Sequence, residues 1–438
     1  MGGRPPASPA GFHPGGIIQT ERQSPGFVLT KKDGEFLRIL ASVSVVIAHC
    51  IHFWVEEYYR VRSVASVPFF CTVLDQFTRF TVPLFFFLSG FGLTLQFRDK
   101  PLNLAKYYKF RLNKILAPFL LWSGITAFRH VDLFQSMPWG SDPRGSTLGL
   151  LRMLLLDGFD YQYYFLIVIF QFYLVYPFLY KLGKSRLWIW IFLAVHLCLL
   201  SPVETYLELL GLELPKLHAN LLFFHWFNCF AGVYAAWHKD FLLDLVRRWS
   251  PAKITGFWIL TVLLMNLEFH VNILNEKLLF DVDHFNRWSV LLYCLASLLL
   301  FMRAKNFIAA RIYANPRFNF LFTHMAPYTF FVYLVHTHVL RTVDFLFWEL
   351  TVFDLLNRII LVVAGSYFVA WLAQWLLEDF PRLRFYFGLP KKPIMEWSGV
   401  PGFGRFKLRP SKQGMPSLLQ PRREPPARNR VFDVSSER

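Results

Sequence analysis

Charge is what this sequence has least of. Only 17% of its 438 residues are Asp, Glu, Lys or Arg, while 55% are hydrophobic and 49 are phenylalanine. Water-soluble chains carry about 25% charged residues, so a string of soluble domains is excluded. Cysteine is scarce as well. The five (Cys50, Cys71, Cys198, Cys229 and Cys294) are odd in number and scattered, which excludes a disulfide framework and any zinc-ligand spacing. They read as small apolar packing residues, and no metal is expected. No early stretch has the basic, apolar and small-residue layout of a cleaved signal peptide, and no internal repeat is evident.

What remains is a series of apolar stretches near twenty residues, the length that spans a bilayer core. The expected fold is all-α: a polytopic membrane protein with ten transmembrane helices. They fall at about 36–55, 77–97, 112–128, 163–180, 187–202, 219–237, 254–270, 288–302, 326–348 and 356–377. With the N-terminus inside, the inner loops and the segment through Arg38 hold 22 Lys and Arg against 10 in the outer loops. That bias places both termini in the cytoplasm. Residues 1–33 are expected to form a disordered N-terminal segment, 34–382 the membrane domain and 383–438 a disordered basic tail. The tail after Pro381 has 13 basic residues against 4 acidic ones. It suits anionic lipid headgroups and not nucleic acid, because no aromatic–basic interleaving accompanies the charge.

Against this apolar background the ionisable residues inside spans stand out, since each costs several kcal/mol in hydrocarbon unless it serves a function or is paired. The first span (FLRILASVSVVIAHCIHFWV) holds Arg38 and His49. Eleven residues is close to three helical turns, so the two share a face and lie roughly 15–17 Å apart along it. His49 is a candidate general base. His52, Phe53 and Glu56 follow on the same face, and a carboxylate there can set a histidine's tautomer and basicity. In the second span, Pro83 can loosen the helix, while Ser89, Gly90 and Gly92 allow close helix contact. Arg111 and Lys114, three apart at the start of the third span, point one way at a helix N-terminus that favours anions; ordinary positive-inside charge would look the same. The ninth span carries His336, His338, Arg341 and Asp344. Arg341 and Asp344, at i and i+3, could pair with each other or line a ligand site. Tyr161, Tyr163, Tyr164 and Trp139 could stack on sugar rings or anchor the interface.

Taken together, these residues resemble the acyltransferase-3 family. The resemblance is carried by the Arg and His eleven apart in the first span, by PLFFFLSGF in the second, and by the Arg111–Lys114 pair before ILAP. Tyr164–Leu166, the YLVH of Tyr333–His336 and the EDFP of Glu378–Pro381 add to it. The match covers residues 34–382. It implies an integral enzyme of the cell membrane that takes an acyl group, acetyl being expected, from cytoplasmic acyl-CoA (acetyl-CoA) to a hydroxyl of an extracytoplasmic polysaccharide or glycolipid. By the same resemblance His49 is the catalytic histidine, Arg111 and Lys114 hold the coenzyme, and Arg38 supports that site. Glu56, Ser89, His336 and Arg341 are the substrate-binding or supporting candidates. Lys114 stands where the family has arginine, and a lysine lacks the bidentate fork. Two other readings are a glycan transporter or exporter, with His49, Arg341 and Asp344 lining a polar path, and a non-catalytic partner of a polysaccharide synthase.

Overall fold

The computed structural model describes residues 30–61, 67–98, 100–130, 135–136, 141–156, 159–200, 221–275, 285, 287–346 and 351–390. These form an all-α bundle with no strand among them. In chain order the helices are α1 (Lys31–Val61), α2 (Val67–Thr78), α3 (Thr81–Phe97), α4 (Leu104–Ala127), α5 (Pro143–Leu156), α6 (Tyr164–Leu182), α7 (Arg186–Val195) and α8 (Leu222–Trp237). There follow α9 (Lys239–Arg248), α10 (Pro251–Leu274), α11 (Trp288–Ile308), α12 (Pro316–Met325), α13 (Thr329–Asp344), α14 (Val352–Leu376) and α15 (Pro381–Phe387).

Six helical segments among the described residues are long and apolar enough to cross a membrane: Lys32–Arg60, Val67–Phe97, Tyr161–Leu182, Pro251–Leu274, Trp288–Tyr313 and Val352–Leu376. The protein is thus a polytopic membrane protein. The other four expected spans also fall on helices. Of these α7, α8 and α13 have 10, 16 and 16 residues, and α4 carries basic residues through its first half. The expected boundary at residue 382 lies inside α15, which packs against α4: the Trp122 indole donates to the Phe387 carbonyl at 3.2 Å. Residues 1–29 and 391–438, with the termini expected to be disordered, lie outside the described residues.

Local chemistry sets the helix ends. Thr30 and Asp33 form a reciprocal capping box at α1, with bonds of 2.7 and 3.2 Å. Asn103 caps α4 by accepting from the Lys106 N–H at 3.0 Å, and Asn315 and Ser250 cap α12 and α10, each followed by proline at the first position. The largest core cluster joins α1, α3, α6, α8 and α13 through buried Val46, Phe86, Phe172, Phe230 and Leu334. α3 and α8 cross with their backbones in close approach. A Cβ on Gly90 would collide with the Cys229 carbonyl, and a Cβ on Gly232 with the Phe87 carbonyl. Each glycine is the notch that admits the other helix, as expected of small residues in membrane helices.

Candidate active site

Arg38 and His49 lie on the one continuous helix α1, so their spacing is fixed at about 16 Å by the helical rise. His49 is half-buried. Its imidazole faces that of His336 on α13, with ring centres 5.1 Å apart and planes at 28°. Tyr161 touches it from another side, 5.1 Å away and edge-on at 61°. His336 is fully buried. Its Nδ1 donates to the carbonyls of Tyr333 at 2.8 Å and Val332 at 3.2 Å, which leaves Nε2 as an acceptor. That nitrogen is buried and has no hydrogen-bond partner.

Several expected partners are different ones. Glu56 does not orient His49: it meets the His52 imidazole at 3.3 Å, one turn along α1, and both side chains are more than half exposed. The group beside His49 is an imidazole from another helix. Arg341 and Asp344 do not pair with each other either. Arg341 makes a two-pronged contact with Asp160, at 2.8 Å on both oxygens, while Asp344 pairs with Arg358 of α14. Spacing of three along a helix brings two side chains to one face, but each here finds a partner on the neighbouring element. Arg358 also lies over the Phe53 ring, 4.8 Å from its centre. Ser89 donates to the Phe85 carbonyl of its own helix at 2.8 Å, the usual habit of serine in an apolar helix.

The basic residues gather one level away along α1 and α3. Arg38 is exposed and brings its Nη2 to within 3.7 Å of where a Cβ on Gly92 would stand. Arg111 donates to the Gln96 side chain. Gly92 and Gln96 are one turn apart on α3, so the guanidinium groups of two other helices meet one face of it. Both charges also act on the Tyr173 hydroxyl of α6. The Arg111 Nε is buried without a partner, and Lys114 is exposed. One expectation needs correction: α4 starts at Leu104, so Arg111 and Lys114 sit about two and three turns inside the helix. The field of a helix N-terminus fades within the first turn, and the anion-favouring feature is the charges themselves.

A buried polar network went unnoticed in the sequence. Asp75 and Arg79 pair across one turn, Arg287 donates to Gln76 and lies 4.0 Å from Glu268, and Ser289 donates to Glu268. Arg79 is close enough for its charge to act on His49. The clue available was the i, i+4 spacing of Asp75 and Arg79 immediately before an apolar run. Trp139 lies outside the described residues.

The sequence pattern of the acyltransferase-domain family matches residues 34–375, from within the first turn of α1 to the last turn of α14. The chain belongs to the acyltransferase-3 family. No curated protein and no solved structure matches it. For an acyltransferase of the membrane, the arrangement offers the two elements the chemistry needs. One is an imidazole with a free edge, able to accept a proton. The other is a set of cations, one of them with an unsatisfied buried N–H, able to attract an anion.

Proposed function

We propose that this acyltransferase moves an acyl group, acetyl first among the candidates, from cytoplasmic acyl-CoA to a hydroxyl of an extracytoplasmic polysaccharide or glycolipid at the cell membrane. One observation carries the reading. Arg38 and Arg111, from two helices, converge on the Gly92–Gln96 face of α3, and His49 stands three turns from Arg38 on the same helix. A phosphate-bearing coenzyme held by Arg38, Arg111 and Lys114 would extend its thioester along α1 toward the imidazole. The basic bias of the inner loops supports a cytoplasmic position for this end.

In this mechanism His49 takes the proton of the acceptor hydroxyl as its oxygen attacks the thioester carbonyl. The tetrahedral intermediate collapses, the carbon–sulfur bond breaks, and the thiolate takes that proton from His49 and leaves as coenzyme thiol. His336 supports His49 from the buried side, and Arg341 supports the site through Asp160. Neither needs to touch the reacting atoms.

Pairing within the bundle argues against the transporter reading. A polar path would need Arg341 and Asp344 facing a passage, and each is instead matched to a partner, Asp160 and Arg358. The test uses membranes containing the protein, labelled acetyl-CoA and extracted glycan. Transfer in the wild type and its loss in His49→Ala are expected. Label transfer that survives the substitution would remove His49 from the mechanism, and no transfer in the wild type would point to another donor or another function.

A further inference from the structure

The turn that carries Tyr161 is held more firmly than a surface loop requires. Phe159, two residues earlier, has φ 65°, the one non-glycine residue at positive φ among the described residues. An aromatic residue adopts this left-handed conformation only where its surroundings impose it. The residues that follow it are tightly held. The buried carboxylate of Asp160 accepts both Arg341 prongs and the Tyr161 N–H at 3.0 Å, and the Asp160 carbonyl accepts the Tyr163 N–H at 3.0 Å. Gln162 donates its amide to the Leu334 carbonyl at 3.3 Å, and its own carbonyl accepts the Tyr333 hydroxyl. Tyr163 is fully buried, its hydroxyl 3.3 Å from that of Thr126.

Of the three residues in this short turn, only Tyr161 faces outward. It is 53% exposed, whereas Gln162 and Tyr163 are 2% and 0% exposed. An aromatic ring that merely anchored the protein at the interface would have no reason to sit on a candidate catalytic base. This ring contacts His49 and leaves about half of its surface open, on a turn held by buried hydrogen bonds.

We propose that Tyr161 is the acceptor platform: its ring stacks on the apolar face of a pyranose and brings one of the sugar's rim hydroxyls to His49. The proposal rests on the acyl-transfer reading. The C–H groups on one face of a sugar ring carry partial positive charge, which suits the negative face of an aromatic ring. Such stacking fixes the plane of the sugar without engaging its hydroxyls, and so leaves one of them free to meet the imidazole at the edge of the contact. Asp160 and Arg341 are then positioning residues, because they hold the turn and touch no substrate.

The probes are the methyl glycosides of glucose, galactose, mannose and N-acetylglucosamine, offered with labelled acetyl-CoA to the full-length protein in membranes. Tyr161→Ala should raise the KM of the accepted glycoside by about two- to tenfold, the range one aromatic contact supplies, with the KM for acetyl-CoA unchanged. Tyr161→Phe should keep the wild-type KM. An unchanged glycoside KM in Tyr161→Ala, or an equal rise in both KM values, overturns the platform and leaves an interfacial anchor. If the wild type transfers no label, the acetyl-CoA donor reading fails by itself, and the platform is read by binding. Saturation transfer from protein to glycoside C–H protons should then appear in the wild type and Tyr161→Phe and vanish in Tyr161→Ala. Equal signals in all three, or none in the wild type, overturn it.

Discussion

His336 presents an unpartnered acceptor nitrogen from a fully buried ring, and the ring beside it is that of His49, 5.1 Å away. Because backbone carbonyls hold the hydrogen on Nδ1, Nε2 can only accept. The two imidazoles stand ring to ring, with no carboxylate between them. Arrangements in which one group orients and stabilises a catalytic imidazole are familiar from hydrolases, where a carboxylate fills that position. In the mechanism proposed for this protein an imidazole, that of His336, takes the place of the carboxylate.

The first prediction follows from that pair. His336→Ala should lower kcat by about 10–100-fold, less than the roughly 10²–10⁴-fold expected of His49→Ala as loss of a general base, and leave both KM values near wild type. His336→Gln, which keeps an acceptor atom, should recover part of the rate. Steady-state kinetics on the two variants decide the matter: a KM effect without a kcat effect would assign His336 to binding.

The donor end gives the second. Arg111→Ala should raise the KM for acetyl-CoA by about 10- to 150-fold, as loss of a charge-assisted contact worth about 1.5–3 kcal/mol implies. Arg111→Lys should restore only part of it, because a lysine offers no planar fork to share between Gln96 and a phosphate. Gln96→Ala should act in the same direction but more weakly. Kinetics at fixed acceptor concentration separate these from effects on kcat.

The Asp160–Arg341 pair supplies the third. Arg341→Ala strands a buried carboxylate, and breaking a buried pair costs 3–5 kcal/mol. Because the Arg341 side chain is 39% exposed, water reaches it and about 2 kcal/mol is the expected loss, read as a lower unfolding temperature in detergent. Asp160→Asn with Arg341→Ala together should cost less than the two single changes summed. Additive losses would mean that the pair is not coupled.

At the α3–α8 crossing, Gly90→Ala and Gly232→Ala should each destabilise by about 1–3 kcal/mol, the usual cost of overpacking, because the obstruction is backbone and not a flexible side chain. Gly124→Ala, inside α4 where a methyl group meets nothing within 4 Å, is the matched control and should not destabilise, since alanine favours a helix over glycine. Thermal unfolding of the three variants tests the comparison.

Much of the bundle was legible because a helix fixes its own geometry. The shared face of Arg38 and His49, the close contact at Gly90 and the membrane class all follow from spacing and composition along a single segment. Partner choice was not legible. Spacing names the neighbours on one helix, so it offered Glu56 for His49 and Asp344 for Arg341, whereas the partners in the fold come from α13 and from the turn before α6. Arg79, Arg287 and Arg358 fall at or just beyond the ends of expected spans, and their pairing went unread for a related reason. A hydropathy pattern ends a span at a charge and does not distinguish an arginine in water from one paired inside the bundle. The start of α4 was misjudged because its first two turns are polar and look like loop.

The notches at Gly90 and Gly232 do more than let two helices touch. Two rods that key into each other at one point can neither slide lengthwise nor roll past one another, so α3 and α8 behave as a single strut. Gly92 and Gln96, which receive the two arginines, belong to that strut. Relative motion within the bundle therefore falls to the helices packed around this strut, α1 among them, with the arginine-receiving face as the fixed point.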